Sequence, residues 1–156
     1  MQIYRIFEAL FEHCSGDKRP SWNEYFLYLA TVIALRSTCN VIATGAIITK
    51  NNKIISTGYT GAPSGFEHCC TRGDCWKDHE DVKDCLGVHA AVNAILYGAG
   101  EDLKGSTIYL AGYDLDKKCL VNAKPCGHCM GIIKNVGIEN IITVETEGTE
   151  YPSECV

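Results

Sequence analysis

The chain has 156 residues, 46% of them hydrophobic and 21% charged, with a formal net charge of −5. That is the size of a single domain over 1–156, burying about 70% of its unfolded surface. An acidic balance argues against a general nucleic-acid binder, and no window reaches the ~18 apolar residues of a membrane span. Glu8 and Glu12 interrupt the N-terminal apolar run where a signal peptide would not, so the chain reads as cytoplasmic.

The first predicted element is a helix after Arg19-Pro20. Ser21 and Glu24 form a capping-box pattern, and Trp22, Tyr25, Phe26, Leu29 and Ile33 recur at helical spacing as a core-facing stripe running to about Arg36. Two runs rich in β-branched residues, 44–50 and 53–59, flank Asn51-Asn52 and predict a hairpin. Gly and Pro make 60–65 a loop. Residues 66–86 are polar, cysteine-rich and without a period, which implies that their cysteines tie them down. A second helix fits 89–97, ending at Gly98 or Gly100, and a third strand fits 106–112. A third helix starts at Pro125 and ends near Gly137, and a fourth strand fits 138–144. This order predicts a mixed sheet with helices on its faces, an α/β layered domain.

Ten cysteines and five histidines require an explanation. Without a secretory signal, metal ligation is a stronger reading than a disulfide framework. Pro125-Cys126-Gly127-His128-Cys129 sets two thiols three apart at a helix start, where the dipole and free N–H groups favour thiolates. His89 opens the preceding helix, and a βαβ connection can bring two such helix starts together. Three ligands with a fourth position left for water mark a catalytic zinc, which lowers the pKa of that water toward neutrality. His128 lies between the ligand cysteines on another helix face and is read as uninvolved.

H-x-E … P-C-x-x-C is the signature of zinc-dependent nucleobase deaminases. Here the second half is intact, and the first reads His89-Ala90-Ala91. Further stretches are Arg19-Pro-Ser-Trp-Asn-Glu-Tyr-Phe26, Arg36-Ser-Thr-Cys39, Ile55-Ser-Thr-Gly-Tyr-Thr-Gly-Ala-Pro-Ser-Gly65, His68-Cys69 and Val88-His-Ala-Ala-Val-Asn-Ala-Ile95. Through them the chain resembles the deoxycytidylate (dCMP) deaminases of the cytidine deaminase-like superfamily, from about residue 19 to about 144. The Arg-Pro-Ser-Trp start and the Gly-Tyr-x-Gly-x-Pro-x-Gly loop point to the dCMP branch.

The resemblance implies a three-layer α/β/α fold with a mixed central sheet of about five strands. It implies hydrolytic conversion of dCMP to dUMP and ammonia, feeding thymidylate synthesis. His89, Cys126 and Cys129 would hold the catalytic zinc. The Ala90 N–H and the Lys124 carbonyl would meet the cytosine ring, and Arg36, Ser37 and Tyr113 are candidates for the phosphate. A second, structural zinc is implied on Cys39, Cys69, Cys75 and Cys85, with His79 or Cys70 as substitutes; Cys14, Cys119 and Cys155 are bystanders. Homohexamers regulated by dCTP with Mg²⁺ and by dTTP are implied too, with Gly61, Pro63 and Gly65 near the effector site.

Three positions depart from that pattern. Ala91 stands where the family has the glutamate that shuttles protons, so the chain reads as a glutamate-to-alanine variant that binds without turning over. Thr60 replaces an asparagine usual in its loop, and Lys124 a serine or threonine. The alternatives are a natural nucleotide-binding pseudo-deaminase or scaffold, and a deaminase of dCTP or of another cytosine or adenine carrier.

Overall fold

The computed structural model describes residues 19–75 and 85–144. In chain order these form α1 (Trp22–Ala34), β1 (Ile42–Lys50), β2 (Lys53–Tyr59), a short α2 (Cys69–Arg72), α3 (Ala90–Tyr97), β3 (Thr107–Asp114), β4 (Cys119–Val121), α4 (Gly127–Asn135) and β5 (Asn140–Thr143).

The five-stranded sheet runs β2-β1-β3-β4. β1 pairs antiparallel with β2 and with β3. The other edge of β3 is shared: β4 pairs antiparallel with 112–114, and β5 pairs parallel with 107–110. β4 is the strand that sequence pattern alone did not mark, since three residues are too few to show a period. The hairpin turn has Asn51 at φ 53° and Asn52 at φ 58°, the left-handed pair of a type I′ turn that asparagine tolerates.

Ser21 caps α1 as its sequence predicts. The Glu24 N–H donates to Ser21 Oγ at 3.3 Å, and the Ser21 N–H donates to Glu24 Oε2 at 2.7 Å. Those bonds to Ser21 hold the Glu24 carboxyl below its usual range. The helix ends two residues before the predicted Arg36.

The stripe expected to face the core is only partly buried. Phe26 is buried and Leu29 and Ile33 are half-buried, but Trp22 and Tyr25 are exposed. The sheet takes instead the face carrying Phe26, Ala30 and Ala34, packed on Ile47, Tyr109 and Ala111. The small residues decide this, because a Cβ on Gly45 of β1 would collide with the Ala30 carbonyl. A larger side chain on either side would push the helix off the sheet.

The opposite face of the sheet carries α3 and α4. Ala46, Ile48, Ile108 and Leu110 pack there with Ala90, Ala91, Ala94, Cys129 and Ile133. Gly58 allows the same close approach: a Cβ there would strike the backbone of Ala90 and Ala94. The architecture is thus the three-layer α/β/α sandwich implied by the resemblance, with its central strand β1 buried on both faces.

Candidate functional site

Two helix starts meet at one end of the sheet. His89 is the N-cap of α3, with extended backbone at φ −68°, ψ 147°, and Cys126 is the N-cap of α4 at φ −64°, ψ 170°. Both helices therefore begin slightly later than predicted: His89 and Cys126 are caps instead of first-turn residues, and Cys129 sits in the first turn of α4. His89 Nδ1 lies 3.3 Å from Cys129 Sγ and 3.5 Å from Cys126 Sγ.

The three donor atoms fall within 4.8 Å of one another, and theirs is the one such group of His, Cys, Asp or Glu among the described residues. Burial pushes the Cys129 thiol up to about 12, and the adjacent Cys126 thiol adds to it through hydrogen bonding and charge. A buried and a half-buried thiol this close together can both ionise only with a cation between them. The set of one imidazole and two thiols suits zinc, with room for a fourth ligand.

A cavity opens beside the triad. It is lined by Thr44, Thr60, Ala90, Ala91, Leu110 and Lys124, among others, and no Asp or Glu is among its lining residues. Ala91, in the first turn of α3, is buried. Lys124 is exposed and is the one Lys or Arg in the lining.

Thr60 organises the near wall. Its N–H donates to the Thr44 carbonyl at 2.9 Å, and its hydroxyl accepts from the Ala90 N–H at 3.3 Å. Its carbonyl accepts from Thr38 N–H at 3.1 Å and from the Ser37 hydroxyl at 2.8 Å. Asn93 ties α3 to the same loop by donating to the Tyr59 carbonyl at 2.7 Å.

Ser37 is therefore spent on loop geometry. Arg36, Ser37 and Tyr113 all stand outside the residues lining the cavity. Gly61 pairs with Val88 through two backbone hydrogen bonds of 3.1 and 2.8 Å, joining the 60–65 loop to the segment that carries His89. Pro63 accepts from the Phe66 N–H, and Gly65 takes φ 91°, a conformation glycine adopts without strain. His128 is exposed on α4.

Thr44 is the site residue that sequence reasoning missed. It is 7% exposed, lines the cavity, and its Oγ1 has no hydrogen-bond partner. A threonine inside an alternating β run gives no sign of this, because strands favour threonine generally. A buried hydroxyl without a partner is costly unless something entering the cavity supplies one.

Of the other thiols, Cys69 and Cys70 open α2, Cys119 opens β4, and Cys39 lies near enough to Cys69 and Cys85 to feel their charge. Burial pushes the Cys39 thiol up, the Val41 and Ile42 amides pull it back, and the charges of Cys85 and Cys69 push it up again. The Val41 N–H donates to Cys39 Sγ at 3.5 Å and the Gly87 N–H to Cys85 Sγ at 3.3 Å. The described cysteines are thiols rather than disulfides. Cys70 is exposed and Cys75 half-buried, whereas His79, Cys14 and Cys155 lie outside the described residues. His68, which caps α2 beside Cys69, has a buried Nδ1 without a partner.

This geometry can be set beside known proteins. The family description "Cytidine and deoxycytidylate deaminase zinc-binding region" matches residues 20–145, which include both helix starts. The chain belongs to this family. It is similar to the deoxycytidylate deaminase of Mycobacterium phage D29, with 36% identity over 87% of this chain and 98% of that one. The deoxycytidylate deaminase of Saccharomyces cerevisiae is 34% identical over 80% of this chain but only 38% of its own length. Among solved structures, the dCMP deaminase of cyanophage S-TIM5 in complex with dCMP and dUMP aligns with a TM-score of 0.60 and 25% identity, covering 79% of this chain and 80% of that one. The family's zinc-binding region and the observed His/Cys/Cys group agree. No helix among the described residues is long and apolar enough to cross a membrane.

Proposed function

We propose that this chain is a single dCMP deaminase-type domain, cytoplasmic, that binds dCMP beside His89, Cys126 and Cys129 and lacks the proton shuttle needed to deaminate it. The observation that carries this reading is the convergence of the three zinc donors on a cavity whose lining includes Ala91 and no carboxylate.

Zinc held by these three residues would supply hydroxide at neutral pH. The chain's own groups do the rest of the binding. The Ala90 N–H, held by Thr60 at 3.3 Å in the free protein, is a long bond that can be exchanged for the pyrimidine carbonyl. The Lys124 carbonyl would receive the exocyclic amine. The Thr44 hydroxyl, unpartnered in the free chain, would find its partner on the bound nucleotide. Lys124, at the mouth, is the cation best placed for the phosphate, ahead of Arg36, Ser37 and Tyr113, which do not line the cavity.

A phosphate held by charge-assisted bonds contributes strongly, so calorimetry should find dCMP bound about tenfold or more tighter than deoxycytidine. Equal affinity would remove the nucleotide-monophosphate reading in favour of a nucleoside or free-base site. Thr44→Val keeps the shape and removes the orphan hydroxyl. It should leave Tm unchanged or slightly raised while weakening dCMP binding several-fold, by about 1 kcal/mol. Unchanged affinity would show that Thr44 does not face the nucleotide.

A second zinc on Cys39, Cys69, Cys75 and Cys85, with Cys70 or His79 as substitutes, is supported by the charges of Cys85 and Cys69 acting on the Cys39 thiol and by the amides donating to two of the sulfurs. No three of the described thiols lie as close together as the His89 group. The resemblance further supports a homohexamer regulated by dCTP with Mg²⁺ and by dTTP. The 60–65 loop, bridged by Gly61 to the segment of His89, gives effectors a path to the site. The second reading, a natural nucleotide-binding pseudo-deaminase, is favoured by Ala91 itself; deamination of dCTP or another base carrier is favoured by nothing specific in the cavity.

A further inference from the structure

Helix α3 takes its cap from another part of the chain. His89 holds the N-cap position, where Ser, Thr, Asn or Asp ordinarily offers an oxygen to the first-turn N–H groups. Its side chain makes no capping bond and lies instead 3.3 Å from Cys129 Sγ and 3.5 Å from Cys126 Sγ. An imidazole placed among the zinc donors is not available to the helix start. The acceptor comes from 30 residues upstream: the Ala90 N–H donates to Thr60 Oγ1 at 3.3 Å.

The main chain around Thr60 has no slack. Its N–H is bonded to the Thr44 carbonyl, and its carbonyl to Thr38 and Ser37. On one side the Tyr59 carbonyl is held by Asn93, and on the other Gly61 is held twice by Val88. What remains is rotation of the Thr60 side chain among its staggered positions. The bond it would break is long for an N–H to oxygen contact, and Thr60 is half-buried, so a displaced hydroxyl still reaches water. Thr60 and Ala90 line the same cavity.

We propose that Thr60 is a removable cap, whose hydroxyl holds the Ala90 N–H in the empty site and yields it to the pyrimidine carbonyl of a bound nucleotide. The inference rests on the dCMP reading above and adds a sign to it: Thr60 stabilises the chain and weakens its affinity. One N–H cannot serve the hydroxyl and the ligand carbonyl at full strength. A bond present only in the empty site therefore lowers affinity by the factor by which it favours that state. Thr60 is in this sense a positioning residue that sets affinity.

The test compares the zinc-loaded wild-type chain with Thr60→Val, which keeps the shape and removes the hydroxyl, and Thr60→Ser, which keeps the hydroxyl. Calorimetry should find dCMP bound about fivefold tighter by the valine variant, with the serine variant equal to wild type. The valine variant should melt about 3 °C lower when empty and at the wild-type Tm when saturated with dCMP, because the cap is absent from both complexes. Without ligand, its Ala90 amide should exchange with solvent faster than in the wild type. Equal or weaker dCMP binding by the valine variant, a Tm loss that persists at saturation, or unchanged Ala90 exchange would each overturn the removable cap while leaving the dCMP reading intact. Failure of the wild-type chain to bind dCMP would overturn both.

Discussion

Ala91→Glu should turn an inert binder into an active dCMP deaminase. Ala91, two residues after His89, lines the same cavity as the three zinc donors, so a carboxylate there would reach the space where the pyrimidine would lie. That carboxylate would take a proton from the attacking water, pass it to the ring nitrogen, and protonate the departing amine. One general acid–base group is worth ~10²–10⁴-fold, and a group serving several transfers belongs at the top of that range or beyond. Zinc content and dCMP affinity should be unchanged, because neither depends on this side chain. Ammonia release, or the ultraviolet change from cytosine to uracil, reports the gain. A glutamate variant that holds zinc and dCMP yet stays inactive, even with dCTP and Mg²⁺, would leave the pseudo-deaminase reading in place.

Cys129→Ser should have the second large effect, on metal instead of rate. Cys129 is buried and within 3.3 Å of His89, and no other thiol or imidazole among the described residues can join that group. The purified chain should carry about two zinc ions, one for each proposed site. The serine variant should lose one of them, with site affinity falling by more than ~100-fold, the upper effect of disturbing a mere supporting group. dCMP binding should fall with it, while the zinc proposed on Cys39, Cys69, Cys75 and Cys85 stays bound. A wild-type content of one zinc, with Cys75→Ser and Cys85→Ser leaving stability unchanged, would remove the second site.

Several of these features are legible in local sequence. The capping box of Ser21 and Glu24, the Asn51-Asn52 turn and the two helix starts at His89 and Cys126 depend on contacts within a few residues, so local spacing reveals them. The fold class follows from the order of elements, because a sheet with helices between its strands has few ways to bury its faces. Boundaries are less legible: β4 is too short to carry a period, α1 ends two residues before the predicted Arg36, and β3 runs two residues past the predicted 112.

The sequence by itself pointed to the donor chemistry, one histidine and two cysteines at helix starts, and to Ala91 as the expected place of the proton shuttle. It could not decide which face of α1 meets the sheet, since a helix apolar all round offers two stripes. The tight approach of Ala30 to Gly45 chose between them. Only the tertiary structure brought His89 to within 3.5 Å of cysteines 37 and 40 residues away, left Thr44 Oγ1 unpartnered in the cavity wall, and spent Ser37 on the Thr60 loop. Those outcomes depend on contacts distant in sequence, which chain order does not encode locally and close packing of the layers must settle.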